Sequence, residues 1–209
     1  NALNLLYPTT IINLGMKDYF YSEITFDPST KGYIMPNIDS KELADFFRKL
    51  KDQNYIIILD IAVTNNQTGL SDKIKAVLPF VDYFFPNVDE SFQITNLEKP
   101  EDQAKCFMDW GVKAIAITCG TEGVFFKDLE SVYQLEPYKI DFVDGSGSGD
   151  AFTAGMAIGI SESWPTLDSL KFGAVLGASV CRGLGCNTTL FSRDEALNAM
   201  SKMQVRSLV

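Results

Sequence analysis

Residues Val143-Asp144-Gly145-Ser146-Gly147-Ser148-Gly149-Asp150 set three glycines at alternate positions ahead of an acid and a long apolar run. Glycine lets the backbone turn its N–H groups to one side, and a helix start adds unpaired N–H groups with a partial positive charge. Together these make an anion site, most often for phosphate. An aspartate in such a site repels the ligand and so needs a role, and proton transfer is the role that suits it. An ordinary glycine-rich connection from strand to helix is the plainer alternative. A dinucleotide fingerprint needs G-x-G-x-x-G, whereas the chain has G-x-G-x-G followed by an acid, late in the sequence. A Walker loop is absent too, because no Gly-Lys-Ser/Thr follows.

Pro86-Asn87-Val88-Asp89-Glu90 lies just after an apolar stretch and at a helix start. Asn87 or Asp89 can be a simple N-cap. Alternatively, Asn87 and Glu90 aim one amide and one carboxylate at a metal-bound phosphate. Magnesium takes oxygen ligands and keeps several waters, so such contacts are often indirect. Ile117-Thr118-Cys119-Gly120-Thr121-Glu122-Gly123 reads as a buried strand ending in two glycines, Gly120 and Gly123. It is either a plain strand-to-hairpin turn or, near a nucleotide, a place where Thr118 and Gly120 let base and ribose pack on backbone. Gly183-Leu184-Gly185-Cys186-Asn187 reads as a helix end closed by glycine, which needs no function.

Composition narrows the chemistry. The sequence has no histidine, so a proton taken from a hydroxyl must go to a carboxylate, Lys, Tyr or Cys. The net charge of −9 argues against nucleic acid as partner, while leaving room for a nucleotide in a local positive field. No apolar run approaches a membrane span and no signal-peptide pattern opens the chain, so no membrane partner is expected. Cys106, Cys119, Cys181 and Cys186 lack metal-finger spacing and read as free thiols in a reducing cytoplasm. The 209 residues, 46% hydrophobic, suffice for one well-filled α/β domain spanning 1–209.

The elements that must position these residues alternate between strand and helix. Ile11–Leu14 and Tyr33–Met35 are candidate strands, with Asp27-Pro28-Ser29 as a turn between them. Leu43, Phe46, Phe47 and Leu50 recur at helical spacing behind Ser40 as N-cap. Tyr55–Val63 is an apolar run suited to a strand covered on both faces. A short helix through Lys73–Leu78, a strand at Tyr83–Phe85, a helix from Lys99-Pro100 to about Trp110 and a strand at Ala114–Thr118 follow. Gly123–Lys127 and Val132–Leu135 pattern as a hairpin. Helices are expected at Asp150–Ile160, Leu167–Arg182 and Arg193–Met203, with Ser192 and Glu195 as a capping box. Buried strands alternating with helices predict an α/β class with an open parallel sheet, whose ligands bind beyond the carboxyl ends of the strands.

Taken in order, these pieces resemble the ribokinase family of carbohydrate kinases, also called the phosphofructokinase-B family. Asp144-Gly145-Ser146-Gly147-Ser148-Gly149-Asp150 is similar to that family's Asp-Thr-x-Gly-Ala-Gly-Asp signature. Asn87 and Glu90 match its Asn-x-x-Glu element, Thr118-x-Gly120 its nucleotide-edge strand, and Cys181–Asn187 with Ser192–Glu195 its C-terminal end. The likeness runs from about residue 33 to the C-terminus. It implies a ribokinase-like three-layer α/β/α domain with a mostly parallel central sheet, and ATP-dependent phosphoryl transfer to a hydroxyl of a sugar or related small alcohol. By the same resemblance Asp150 is the base, and the backbone N–H groups of Gly147, Ser148 and Gly149 form the anion hole. Asn87 and Glu90 hold Mg²⁺ with the phosphates, and Thr118, Gly120, Gly123 and Asn187 lie near the nucleotide. Many members also bind potassium, and Asp144 and Ser146 occupy the matching positions, with main-chain oxygens near Val180 and Gly185 as weaker candidates. The implied partner is a small sugar-like molecule, and many members form a homodimer through the lid. A non-catalytic nucleotide-binding or regulatory member of the fold is the rival expectation.

The departures carry information as well. Ser148 stands for the usual Ala and Gly145 for Thr, both small enough to preserve the turn. Asp60-Ile61-Ala62-Val63-Thr64 lacks the Asn and Arg that many members carry after that aspartate. The chain begins at Asn1 without methionine and is expected to be a fragment lacking the family's N-terminal part, with its sugar-binding acids and β lid.

Overall fold

The fold was read from a computed structural model that describes residues 9–14, 32–34, 40–63 and 69–208. The described residues up to Ile117, with Lys127–Leu129, form one compact unit, and Thr118–Phe126 with the residues from Glu130 onward form another.

In the first unit, strands β1 (Thr9–Leu14), β2 (Gly32–Ile34), β3 (Ile56–Ile61), β4 (Tyr83–Phe84) and β5 (Ala114–Thr118) lie in the order β2-β1-β3-β4-β5. Every neighbouring pair is parallel, and β1 pairs with β3 along its full length, from Thr9 opposite Ile56 to Leu14 opposite Ile61. Parallel neighbours need crossovers, supplied by α1 (Ser40–Asp52), α2 (Leu70–Val77), α3 (Val88–Thr95) and α4 (Pro100–Asp109). The apolar stripe of α1 sends Leu43, Phe47 and Leu50 into the core, while Phe46 stays half-buried at its margin. Asn54, at φ 62°, closes the helix in a left-handed turn, and Tyr55 donates back to the Leu50 carbonyl at 3.1 Å. β3 is consequently shorter than the apolar run. Its Ile57, Ile58 and Leu59 are fully buried, as expected of a strand covered on both faces. α2 starts at Leu70, three residues before the expected Lys73, because Gly69 (φ 71°) supplies a left-handed N-cap. The turn expected at Asp27-Pro28-Ser29 and residue Met35 lie outside the described residues.

Asp82 anchors the amino ends of these strands. Its carboxylate accepts from the Ile57 amide at 2.8 Å, from Lys51 Nζ at 2.6 Å and from Lys113 Nζ at 2.8 Å. A buried carboxylate is tolerated when paired and hydrogen-bonded in this way. The anchored end leaves the carboxyl ends of β3 and β4 for chemistry.

The second unit holds β6 (Val124–Lys127), β7 (Val132–Leu135) and β8 (Val205–Ser207) in that order, with α5 (Ser148–Ser161), α6 (Thr166–Val180) and α7 (Arg193–Met200). The sequence pattern carries the last helix to Met203. Instead it stops at Met200 and the chain turns into β8, which pairs antiparallel with β7, Leu135 opposite Val205. The backbone bonds gained there, Glu136 N–H to Gln204 O at 3.1 Å and Leu208 N–H to Val132 O at 2.9 Å, outweigh a further helical turn.

α5 and α6 are buried around much of their circumference, and they meet backbone to backbone at glycines. A Cβ placed on Gly155 would fall 2.6 Å from Gly173 Cα, and one on Gly159 would fall 2.3 Å from Ser169 Oγ. Neither helix can yield without moving the other. Gly155→Ala should therefore lower stability by about 1–3 kcal/mol, seen as a lower urea midpoint with unchanged slope. An unshifted midpoint would mean the two helices can separate freely.

Candidate active site

The glycine turn is built from the end of α6. The amides of Val143 and Asp144 donate to the Cys181 carbonyl at 2.8 and 3.3 Å, which sets the direction in which the chain enters the turn. Asp144 Oδ1 then accepts from the Ser146 amide at 3.3 Å and from its hydroxyl at 3.1 Å, closing a short side-chain turn. The Ser148 amide donates to Gly145 O at 3.2 Å, and the Ala151 amide to Gly147 O at 2.9 Å. α5 thus begins at Ser148, two residues before the expected Asp150, with Gly147 (φ 80°, ψ 0°) as N-cap.

This shift changes the site. Asp150 becomes the third residue of the helix and is exposed. The amides of Gly149 and Asp150 sit in the first turn, where helix geometry offers no intrahelical acceptor. That of Ser148, expected in the anion hole, already has a long bond to Gly145 O. The glycines have different reasons. Gly147 is required by its left-handed conformation and by Cys186, whose Cβ a side chain at 147 would meet at 2.7 Å. Gly149 faces open space, so a ligand can come up against the backbone there.

Asn87 and Glu90 form a capping box on α3. Asn87 Oδ1 accepts from the Glu90 amide, and Glu90 Oε2 from the Asn87 amide, both at 2.8 Å. Glu90 Oε1 also accepts from the Val63 amide at 3.4 Å, so this carboxylate joins the segments that follow β3 and β4. The N-cap alternative raised by the sequence is realised. Each carboxylate oxygen still has a second lone pair to offer a water. Among the described residues no group of three or more His, Cys, Asp or Glu could hold a metal directly. Oxygen donors acting through water are what a nucleotide-borne magnesium requires, and this pair fits that need.

Burial holds the Glu90 carboxyl above its ordinary value, with a smaller push from Asp89, while the Asn87 and Val63 amides pull it back. A raised folded value means that the folded chain binds the proton more tightly than the unfolded chain. The resulting gain is fully present below the unfolded value near 4.5 and is lost as pH rises through the folded value. Wild type should therefore gain stability relative to Glu90→Gln as pH is lowered from 7 toward 4.5. Urea titrations at several pH values measure this, and a difference that does not change with pH contradicts it.

The remaining candidates sit in turns of the second unit. Thr118 is half-buried at the end of β5, and Gly120–Glu122 forms a short 3-10 turn, closed by the Cys119 amide on Gly123 O at 2.8 Å. Gly120 (φ 55°) faces open space. Gly123 has a structural demand of its own, since a Cβ there would sit 1.9 Å from Leu135 O. Asn187 is exposed on the loop after α6, and Gly185 in that loop has φ 92°. The Val180 carbonyl already accepts from the Thr189 hydroxyl at 3.0 Å. Sequence reasoning read Cys181 and Cys186 as thiols within the C-terminal likeness and missed that the Cys181 carbonyl orients the turn and that Cys186 backs Gly147. A main-chain acceptor leaves no mark in residue type.

Parallel crossover units and a glycine turn opening a buried helix define a ribokinase-like α/β fold. Solved structures share it: aminoimidazole riboside kinase from Salmonella enterica, complexed with aminoimidazole riboside and an ATP analog, superposes with TM-score 0.68 at 19% identity, covering 75% of this chain and 56% of that one. The Escherichia coli phosphofructokinase-2 in complex with potassium gives 0.67 at 19%, covering 80% and 54%. A family model described as pfkB family carbohydrate kinase matches residues 22–192, and the chain belongs to that family. Among curated relatives, the ATP-dependent 6-phosphofructokinase of Thermoanaerobacterium thermosaccharolyticum is 30% identical over 112 residues, 54% of this chain and 35% of that protein. The chain spans 35% to 55% of the length of the first four curated relatives it matches. No helix among the described residues is long and apolar enough to cross a membrane, and none of the four cysteines is in a disulfide.

Proposed function

We propose that the protein transfers the γ-phosphoryl group of ATP to a hydroxyl of a sugar or related small alcohol. The observation that carries this reading is the glycine turn, which opens α5 through a left-handed Gly147 and sets Asp150 in the helix's first turn. The Asp150 carboxylate takes the proton of the acceptor hydroxyl. That oxygen bonds to the γ-phosphorus as the bond from phosphorus to the β–γ bridging oxygen breaks, and ADP leaves with the bridging electron pair. Charge on the transferring group is met by the amides at the start of α5, those of Gly147, Ser148 and Gly149, with Ser148 sharing its proton with Gly145 O. Phosphoryl transfer depends mainly on positioning and charge stabilisation, which suits a site made of backbone and one carboxylate.

Magnesium bound with the nucleotide would neutralise part of the phosphate charge, with Asn87 and Glu90 holding its water shell. Thr118, Gly120 and Asn187 line the nucleotide in this reading. Asp144 and Ser146 offer oxygens to a monovalent cation beside the turn, in keeping with the potassium complex formed by the E. coli phosphofructokinase-2. The free thiols suit a reducing compartment such as the cytoplasm.

The test is transfer of labelled γ-phosphate from ATP to a panel of pentoses, hexoses, their monophosphates and ribosides, using the intact protein. At least one acceptor should be phosphorylated. ATP binding with no transfer across the panel would instead support a non-catalytic member of the fold.

A further inference from the structure

The loop after α6 packs against the glycine turn, and one side chain closes it. A Cβ on Gly147 would fall 2.7 Å from Cys186 Cβ and 2.8 Å from both Cys186 Cα and its carbonyl oxygen. The main chain at 186 is therefore the wall behind the N-cap of α5. The loop that carries this wall folds back on itself. The Thr189 hydroxyl is shared between the carbonyls of Ser179 (2.9 Å) and Val180 (3.0 Å), and Thr188 Oγ1 donates to Leu184 O at 2.7 Å. Gly183 has no room for a side chain, because a Cβ there would meet the Thr189 methyl at 2.7 Å.

Arg182 spans the mouth of this loop. Its Nε donates to Ser179 O at 3.1 Å on the helix side, and its Nη2 donates to Thr189 O at 2.5 Å on the far side. Its guanidinium lies 4.1 Å over the Phe191 ring. A planar fork can make these three contacts at once, while a lysine ammonium cannot. Phe191 is itself fixed by its amide donating to the buried Ser179 hydroxyl at 3.1 Å.

We infer that Arg182 is a positioning residue: by tying Ser179 to Thr189 and Phe191 it holds the 183–190 loop closed, so that residue 186 presses on Gly147 and fixes the amides of the glycine turn. The inference rests on the kinase reading for its catalytic consequence. The closure itself does not need that reading. With the clip removed the wall behind Gly147 loosens, and nucleotide affinity suffers while the acceptor is little affected.

Cys186 supplies an independent reporter, being exposed where Cys106 and Cys119 are half-buried and Cys181 is buried. In the intact protein, Arg182→Gln and Arg182→Lys would be compared with wild type for thiol-reagent labelling at Cys186, read by peptide mass, and for KM of ATP and of the acceptor. For Arg182→Gln, labelling should rise and the KM for ATP should increase roughly three- to tenfold with acceptor KM unchanged, the range expected when a supporting contact rather than a ligand contact is lost. Arg182→Lys should fall between it and wild type. Unchanged labelling would overturn the inference, as would faster labelling with an unchanged KM for ATP. Both variants unfolding, or both KM values rising together, would make Arg182 a general structural residue and also overturn it. If wild type transfers no phosphate at all, the kinase reading fails, while labelling and ATP binding still decide whether Arg182 holds the loop.

Discussion

Asp150→Asn should lower kcat by about 10²–10⁴ while leaving the KM for ATP and acceptor nearly unchanged. The carboxamide keeps the size and most of the hydrogen-bonding shape of the carboxylate but cannot take up the hydroxyl proton. Such a loss corresponds to about 3–5 kcal/mol of transition-state stabilisation. Asp150 is exposed in the first turn of α5, so the exchange removes no core packing, and the fold should survive it. No histidine exists anywhere in the chain to replace the lost base. Steady-state phosphoryl transfer with the acceptor found in the panel measures the effect. If the asparagine variant turns over at the wild-type rate, Asp150 is not the base and the proposed mechanism is wrong.

The sequence was most readable where side-chain pattern and backbone demand coincide. The apolar run Tyr55–Val63, read as a buried strand, holds one at Ile56–Ile61, and the Ser192–Glu195 capping box appears with both reciprocal bonds in place. The boundaries that moved did so where backbone conformation decided them. Gly69 and Gly147 each cap a helix in the left-handed region, starting α2 and α5 earlier than apolar periodicity indicates. β8 escaped notice because its three residues carry no strong pattern, and its existence depends on pairing with β7, a contact distant in sequence. At the candidate site, the residue types at 144–150 and at 87 and 90 carried the expectation of phosphate chemistry. What orients the glycine turn was hidden, because the Cys181 carbonyl and the wall at 186 meet it from far along the chain, and the Arg182 contacts, though near in sequence, are to main-chain acceptors that leave no mark in residue type.

The two glycines flanking Ser148 should respond to alanine in opposite ways. At Gly147, alanine faces a left-handed backbone, φ 80°, and a Cβ 2.7–2.8 Å from three atoms of Cys186, two of them main chain. Since backbone cannot step aside as a flexible side-chain tip can, the left-handed penalty and the overpacking add to about 2–4 kcal/mol. The displaced amides then no longer meet the transferring phosphoryl group, and losing one such donor costs on the order of 10²–10³ in kcat. At Gly149 neither obstacle exists: its φ is not positive and nothing lies within 4 Å of an added Cβ. Alanine in the helix should leave thermal stability unchanged or raise it, by at most about 1 kcal/mol. Its methyl, however, occupies the space through which a phosphate would approach the first turn, so ATP affinity should fall even though the fold is intact. Thermal melts and ATP titrations on the two variants separate these causes. A Gly147→Ala protein that melts like wild type would refute the conformational demand. A Gly149→Ala protein with wild-type ATP affinity would place the phosphate somewhere other than this turn, and the kinase mechanism would lose its anion hole.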